Sequence, residues 1–334
     1  MIITLKKGTD PVLAASLADQ HKSIYIAATS STGAILVTYS NVKTLPDAMI
    51  TYTDTYVVCE TDMQLSSRAY MPDRRTIQIG NTEIGGNSGN CVVITGPCSV
   101  ESEEQIEQSA KLCQTLGVSV LRAGCYKPRT SPYSFQGLGL EGLQLLDKMR
   151  TKYGLKIITE VRDSTHVDEI IEWSDMIQIG AKSMYDHGIL KRCGKANKPV
   201  LLKRGFGTTL QELVQASEFI LSGGNPNVML CERGIRTFET KTRFTFDLCG
   251  VEWLKQHTNL PVILDPSHAM GYAYGVANLA RASVALGCDG LLIEAHPTPT
   301  LAKSDAAQQL SHPEMTDLHT SLKKVAAAVG ANIV

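Results

Sequence analysis

The chain has 334 residues, 43% of them apolar and 19% charged, with 32 Lys and Arg against 33 Asp and Glu. That length exceeds what one hydrophobic core usually spans, so two structural units are expected. A net charge of -1 excludes a general nucleic-acid binder, and no apolar run approaches the roughly 18 residues that cross a membrane.

Residues 1–63 read as β-α-β-β-α-β: a strand at Ile2–Lys6, a helix at Pro11–His21, and a hairpin of Ser23–Ala28 and Ala34–Tyr39 around Ser31-Thr32-Gly33. A short helix at Val42–Met49 and a strand at Tyr56–Glu60 complete the unit. This order predicts a small ferredoxin-like α+β domain. The opening residues form a strand rather than a signal peptide. Nine cysteines without a CxxC pair fit reduced thiols in the cytoplasm. Residues 64–90 are polar and rich in Gly and Asn, and read as a linker with a hairpin at Thr76–Ile84.

From residue 91 to 334 strand and helix alternate eight times. The strands are Val92–Pro97, Val118–Gly124, Lys156–Val161, Met176–Gly180, Pro199–Lys203, Val228–Glu232, Pro261–Asp265 and Gly290–His296. Near-continuous apolar strands with crossover helices such as Glu101–Leu116 and Leu140–Tyr153 predict a (β/α)8 barrel, with an open doubly wound sheet as the alternative. The Gly137–Gly142 stretch fits GxGxxG but lies a dozen or so residues beyond its strand. A dinucleotide fingerprint needs those glycines at the strand's end, so the segment reads as a glycine-hinged loop.

Barrel enzymes carry their chemistry at the C-terminal ends of the strands. Here those ends are loaded: Cys98, Arg122 with Lys127 and Arg129, Glu160, Lys182, Lys203 with Arg204, Glu232 with Arg233, Asp265 with His268, and Glu294 with His296. Asp305 follows in the last loop. Arg122, Lys127, Lys182, Lys203 and Arg233 would repel one another without an anionic ligand, which points to a small molecule bearing phosphate and carboxylate. Cys98, His268, Glu294 and Asp305 mix soft and hard donors, as suits a divalent Mn, Fe, Co or Zn ion. A packed thiol at Cys98 and a capping imidazole at His268 are the alternatives.

The motifs resemble those of the 3-deoxy-D-arabino-heptulosonate 7-phosphate (DAHP) synthases. They are GPCSVE at 96–101, KPRTSPYSFQG at 127–137, QIGA at 178–181, LKRG at 202–205, CERGIRTFE at 231–239, DPSHA at 265–269, EAHP at 294–297 and SDA at 304–306. The N-terminal unit is similar to the regulatory domain of the type I beta branch. The resemblance implies a metal-dependent transferase that condenses phosphoenolpyruvate with erythrose 4-phosphate, releasing phosphate, at the head of aromatic amino acid biosynthesis. It assigns the metal to Cys98, His268, Glu294 and Asp305. Phosphoenolpyruvate falls to Arg122, Lys127, Lys203 and Arg233, with Ala181 and Lys182 on its phosphate. The sugar phosphate goes to Lys127, Pro128, Arg129 and Thr130, and Glu232, His268 and Asp305 complete the substrate-binding set. The catalytic set is Lys127, Cys98, His268 and Glu160, the last positioning a water. Lysine among other cations has a lowered pKa, which fits Lys127 as proton donor or relay.

The resemblance further implies feedback by tyrosine or phenylalanine and a homotetramer. The KPRTS segment favours the four-carbon sugar over arabinose 5-phosphate. Three departures stand out: Lys182 in place of Arg, Gly271-Tyr272-Ala273-Tyr274 in place of a basic pair, and Ala123-Gly124-Cys125 in place of a glycine-rich run. They leave two other readings, a synthase with a different aldose acceptor and a non-catalytic sensor.

Overall fold

The computed structural model describes residues 1–127 and 131–334. Its first unit contains β1 (Ile2–Leu5), α1 (Pro11–Gln20), β2 (Ile24–Ile26), β3 (Ile35–Val37), α2 (Asp47–Ile50) and β4 (Thr53–Val57). The strands form an antiparallel sheet in the order β2-β3-β1-β4 over a core that includes Met1, Ile3, Leu5, Leu17, Leu36 and Met49. Asp10 starts α1 by accepting the amide of Leu13, with Pro11 in the first turn. The second helix is much shorter than Val42–Met49. Pro46 is its N-cap, and the residue before a proline is driven out of helical geometry, so no helix runs through Leu45. The closing strand accordingly begins at Thr53 rather than Tyr56.

Residues 64–90 are not a free linker. Glu218, half-buried on a barrel helix, accepts the backbone amides of Gln64, Leu65 and Ser66 and the Ser66 hydroxyl, at 2.6–3.1 Å. Gln64 in turn binds the N-terminal amine at 2.9 Å and the Thr38 carbonyl at 2.9 Å, which fastens the first sheet to the same point. Arg74 pairs with Asp289, and Arg75 with the Asn259 side chain. The hairpin β5 (Thr76–Ile79) and β6 (Thr82–Gly85) buries Ile77, Ile79 and Ile84 in the barrel interior. Polar composition signalled a linker because most of these side chains serve as fasteners. Only every second hairpin residue is apolar.

The parallel strands are β7 (Asn90–Gly96), β8 (Val120–Arg122), β9 (Lys156–Val161), β10 (Met176–Ile179), β11 (Val200–Lys203), β12 (Val228–Glu232), β13 (Val262–Leu264) and β14 (Gly290–His296). Each pairs with the next, and β14 returns to β7 with Gly290 opposite Val92 and Glu294 opposite Gly96. That last pairing closes the barrel and rules out an open sheet. Helices α3 (Glu103–Leu116), α4 (Leu140–Tyr153), α5 (Val167–Trp173), α6 (His187–Lys195), α7 (Leu210–Leu221), α8 (Leu248–His257), α9 (Pro266–Met270), α10 (Ala273–Ala285) and α11 (His312–Ala328) lie between and after the strands. Among the described residues no helix is long and apolar enough to cross a membrane.

The Glu218 junction is open to a direct test. Glu218→Ala leaves three buried amides and a hydroxyl without their acceptor. Thermal or urea unfolding should show a loss of roughly 4 kcal/mol, since each of the four orphaned donors costs about 1 kcal/mol or more. An unchanged melting profile would show that the junction carries no stability.

Candidate active site

The inner wall of the barrel is one apolar layer. Val92 and Ile94, Val120, Ile158, Met176, Leu201, Met229 and Cys231, Ile263 and Leu292 pack there with the hairpin isoleucines. Strand side chains alternate faces, so every second residue beyond this layer also points inward. Those positions are Arg122, Glu160, Gln178, Lys203, Arg233, Asp265 and Glu294, with Cys98 two steps past Gly96. At Gly96, φ is +144°, and a side chain there would strike the Arg122 carbonyl.

The same alternation removes Glu232 from the substrate set. It points to the opposite face, is fully buried, and pairs with Arg204 at 2.8 Å while accepting the Gly234 amide at 2.6 Å. Arg204 also binds Asp247 at 2.8 Å, so this trio braces the outside of the barrel.

Closure of β14 on β7 gathers Cys98, Glu294 and Asp305, whose donor atoms all lie within 4.8 Å of one another. Cys98 Sγ is 3.4 Å from Asp305 and 2.9 Å from the Ser304 hydroxyl. His268 stands at the edge of this cluster, its Nε2 3.7 Å from Glu294. Its orientation comes from Asp265, which caps α9 through the His268 amide and holds the imidazole Nδ1 at 2.7 Å. That leaves Nε2 facing the cluster, the arrangement in which a carboxylate fixes a ligating histidine. A thiol, two carboxylates and an imidazole at this spacing fit a divalent ion.

Two glutamines that sequence reasoning missed support the cluster. Gln308 donates to Glu294 at 2.6 Å and accepts from Arg243 at 2.6 Å. Gln309 accepts the Cys98 amide at 3.0 Å and donates to the Ser304 carbonyl at 2.8 Å. No spacing signal marks them, because they follow Asp305 on an irregular loop.

Beside the cluster is a cavity lined by Lys127, Glu160, Gly180, Ala181, Lys182, Lys203, Phe206, Arg233, Arg243, Phe244, His268 and Asp305. Arg122 lies outside this lining. Its guanidinium donates to Glu294 at 2.6 Å and to the Pro97 carbonyl at 2.9 Å, so it neutralises a candidate metal ligand. Lys203 is 2.5 Å from Asp265, and Glu160 accepts from Gln178 at 2.7 Å. Arg243 was not foreseen. It packs its stem against Gly271 (φ +76°), where a side chain would collide with it, and so a cation stands beside the Gly271–Tyr274 stretch that lacks a basic pair. Tyr272 and Tyr274 stack on each other at 5.9 Å, largely outside the cavity. Pro128, Arg129 and Thr130, expected on the sugar phosphate, lie outside the described residues. The Gly137–Gly142 loop lies against Cys125 and Tyr126, where side chains at Gly137 or Gly139 would crowd them.

Burial pushes the Cys98 thiol up to about 12, reinforced by Glu294 and Asp305 and opposed by Lys127 and Arg122. Burial alone would raise Asp305, yet His268, Arg243 and Lys127 draw it down to about 2. Lys127 departs from expectation. Burial works against its charge, but Cys98 and Glu160 outweigh that and hold it above the ordinary lysine range. Its ammonium sits 3.1 Å from the Cys98 sulfur and 3.0 Å from the Cys98 carbonyl.

A closed (β/α)8 barrel with a cation-lined cavity beside a thiol-carboxylate cluster defines a metal-assisted enzyme for small phosphorylated acids. Residues 71–330 match the DAHP synthetase I family, and the chain belongs to it. It is 43% identical over 270 residues to phospho-2-dehydro-3-deoxyheptonate aldolase of Thermotoga maritima, covering 81% of this chain and 79% of that one. It is 31% identical to 2-dehydro-3-deoxyphosphooctonate aldolase of Magnetococcus marinus, covering 75% and 92%. A crystal structure of the Thermotoga maritima aldolase superposes with a TM-score of 0.81 at 36% identity, covering 100% of this chain and 99% of that one. A truncated form of that organism's synthase gives 0.77 at 39% identity over 82% and 100%.

The high Cys98 pKa sets a pH dependence. Both carboxylates are already ionised at neutral pH, so ion binding displaces one proton, from Cys98. Apparent Mn2+ affinity should rise about tenfold per pH unit between pH 6.5 and 8, flattening in Cys98→Ser. A flat profile for the unaltered protein in equilibrium titrations would remove the thiol from the ligand set.

Proposed function

We propose that the protein condenses phosphoenolpyruvate with erythrose 4-phosphate to give DAHP and inorganic phosphate. The observation that carries this reading is the convergence of Lys127, Lys182, Lys203, Arg233 and Arg243 on one cavity wall beside the Cys98-Glu294-Asp305 cluster. Phosphoenolpyruvate brings a phosphate and a carboxylate on adjoining atoms. Arg233 offers a planar fork for one of them, and Lys203 and Lys182 supply point charges for the other. Gly180 and Ala181 line the same cavity.

Cys98, Glu294 and Asp305, with His268 as fourth donor, would hold a divalent ion, which would supply Lewis acidity toward the aldehyde oxygen. Lys127, kept as an ammonium, holds a proton beside that carbonyl and delivers it to the oxygen as the new carbon-carbon bond forms. Glu160, fixed by Gln178, orients the water that adds to the former enol carbon before phosphate leaves. Burial works against the Glu294 charge, but His268 and then Arg122 hold its pKa down, and Arg122 fixes the carboxylate in place.

We further read the first 63 residues as a regulatory unit for tyrosine or phenylalanine, and the assembly as a homotetramer. Val12, Tyr39, Ile50 and Tyr56 are more than half exposed on that unit, an apolar surface that a neighbouring subunit would cover. A groove between its sheet and helices α6 and α7, lined by Ile24, Val37, Leu65 and Phe219, has room for a small apolar group. All nine cysteines are free and eight are buried, which supports a cytoplasmic setting.

Phosphate release with Mn2+, phosphoenolpyruvate and erythrose 4-phosphate tests the main reading, with arabinose 5-phosphate as the competing acceptor. Lys127→Met should lower turnover by at least 100-fold, the usual scale of a lost general acid. Higher turnover with the five-carbon sugar would transfer the chain to the octonate-type chemistry. Inhibition by tyrosine or phenylalanine should vanish in a chain beginning at residue 64; persistence would dismiss the regulatory role.

A further inference from the structure

Arg233 differs from Arg122, Lys203 and Arg204. Arg122 is neutralised by Glu294, Lys203 by Asp265, and Arg204 by Glu232 and Asp247. Arg233 is only 5% exposed, has no carboxylate in ion-pair range among the described residues, and leaves Nε and Nη1 without a hydrogen-bond partner. What it does touch is aromatic. Its guanidinium lies 4.6 Å from the Phe244 ring centre and 5.9 Å from that of Phe206, and the two rings stack on each other at 5.7 Å. Arg236 rests on Phe206 at 4.6 Å, and Arg243 lies over Phe244 at 5.7 Å. Three guanidiniums therefore flank two rings.

We propose that Phe206 and Phe244 are positioning residues that hold Arg233 as an uncompensated anion clamp, an inference resting on the phosphoenolpyruvate reading above. A carboxylate in their place would fix the guanidinium equally well, but it would also occupy its N–H donors and compete with the ligand. A ring face attracts the cation through its quadrupole and accepts none of those strong hydrogen bonds. The donors stay free, the rings keep water off one side, and Arg233 meets an incoming carboxylate or phosphate already aimed. The rings also sit among Arg233, Arg236 and Arg243, where a polar side chain would leave three cations facing each other uncushioned.

The test uses the full chain. Calorimetric titration with phosphoenolpyruvate, and with inorganic phosphate as a second probe, is compared among unaltered protein, Phe244→Leu and Phe244→Tyr, each verified as folded by circular dichroism. Leucine keeps the apolar bulk and removes the ring face, so both anions should bind about tenfold more weakly, while tyrosine restores most of the affinity. In turnover assays the leucine variant's loss should fall on KM for phosphoenolpyruvate more than on kcat. Equal affinity in Phe244→Leu, or an equal loss in Phe244→Tyr, would overturn the inference, as would failure of the unaltered protein to bind either anion. If Phe244→Leu does not fold, Phe206→Leu and Phe206→Tyr carry the same comparison. Ring-dependent anion binding without turnover on any aldose phosphate would leave the clamp standing and the condensation refuted.

Discussion

The pairing of β14 with β7 is the constraint on which the site depends. It sets Glu294 opposite Gly96, so that Cys98, two residues on, enters the same volume from the far end of the barrel sequence. The loop after β14 then brings Ser304 and Asp305 to the Cys98 sulfur. An open sheet would leave first and last strands apart and the donors unable to share an ion. Closure also creates a low-dielectric interior in which each charge must be matched, and that need organises everything around it.

The matching follows a rule. Two of the inward-facing cations have carboxylate partners: Arg122 has Glu294 and Lys203 has Asp265. Neutral amides brace the candidate ion cluster as well: Gln308 binds Glu294, and Gln309 ties Cys98 to Ser304. Lys127 is kept protonated by its anionic surroundings despite burial. The charge left over at Arg233 faces the cavity, which is where an anionic substrate would supply the balance. Ground-state charge is thus arranged around a ligand that carries the missing negative groups.

The lower half of the molecule is built for rigidity rather than chemistry. The β5–β6 hairpin fills the barrel's N-terminal end with Ile77, Ile79 and Ile84, and the Glu218 junction ties the first sheet to α7. Because Gln64 contacts both the N-terminal amine and, through its backbone, Glu218, movement of the first sheet is linked to the barrel wall through a few hydrogen bonds.

Much was legible without coordinates. Buried parallel strands announce themselves as apolar runs, and residues that end such runs with charge are conspicuous, so the eight strands and Cys98, Lys127, Glu160, Lys203, Arg233, His268, Glu294 and Asp305 could be picked out by eye. Strand parity, a purely sequential property once the inner layer is known, would also have found Gln178 and excluded Glu232. The rest was decided in three dimensions. The pairing of Arg122 with Glu294, the glutamine supports and the Phe206-Phe244 shelf come from loops whose paths have no period to read. The state of Lys127 depends on Cys98 and Glu160, which lie far from it in sequence and near it only after the barrel closes. Local pattern specifies which residues face inward; only closure specifies which of them meet, because Coulombic and hydrogen-bond terms depend on distances that sequence separation does not encode.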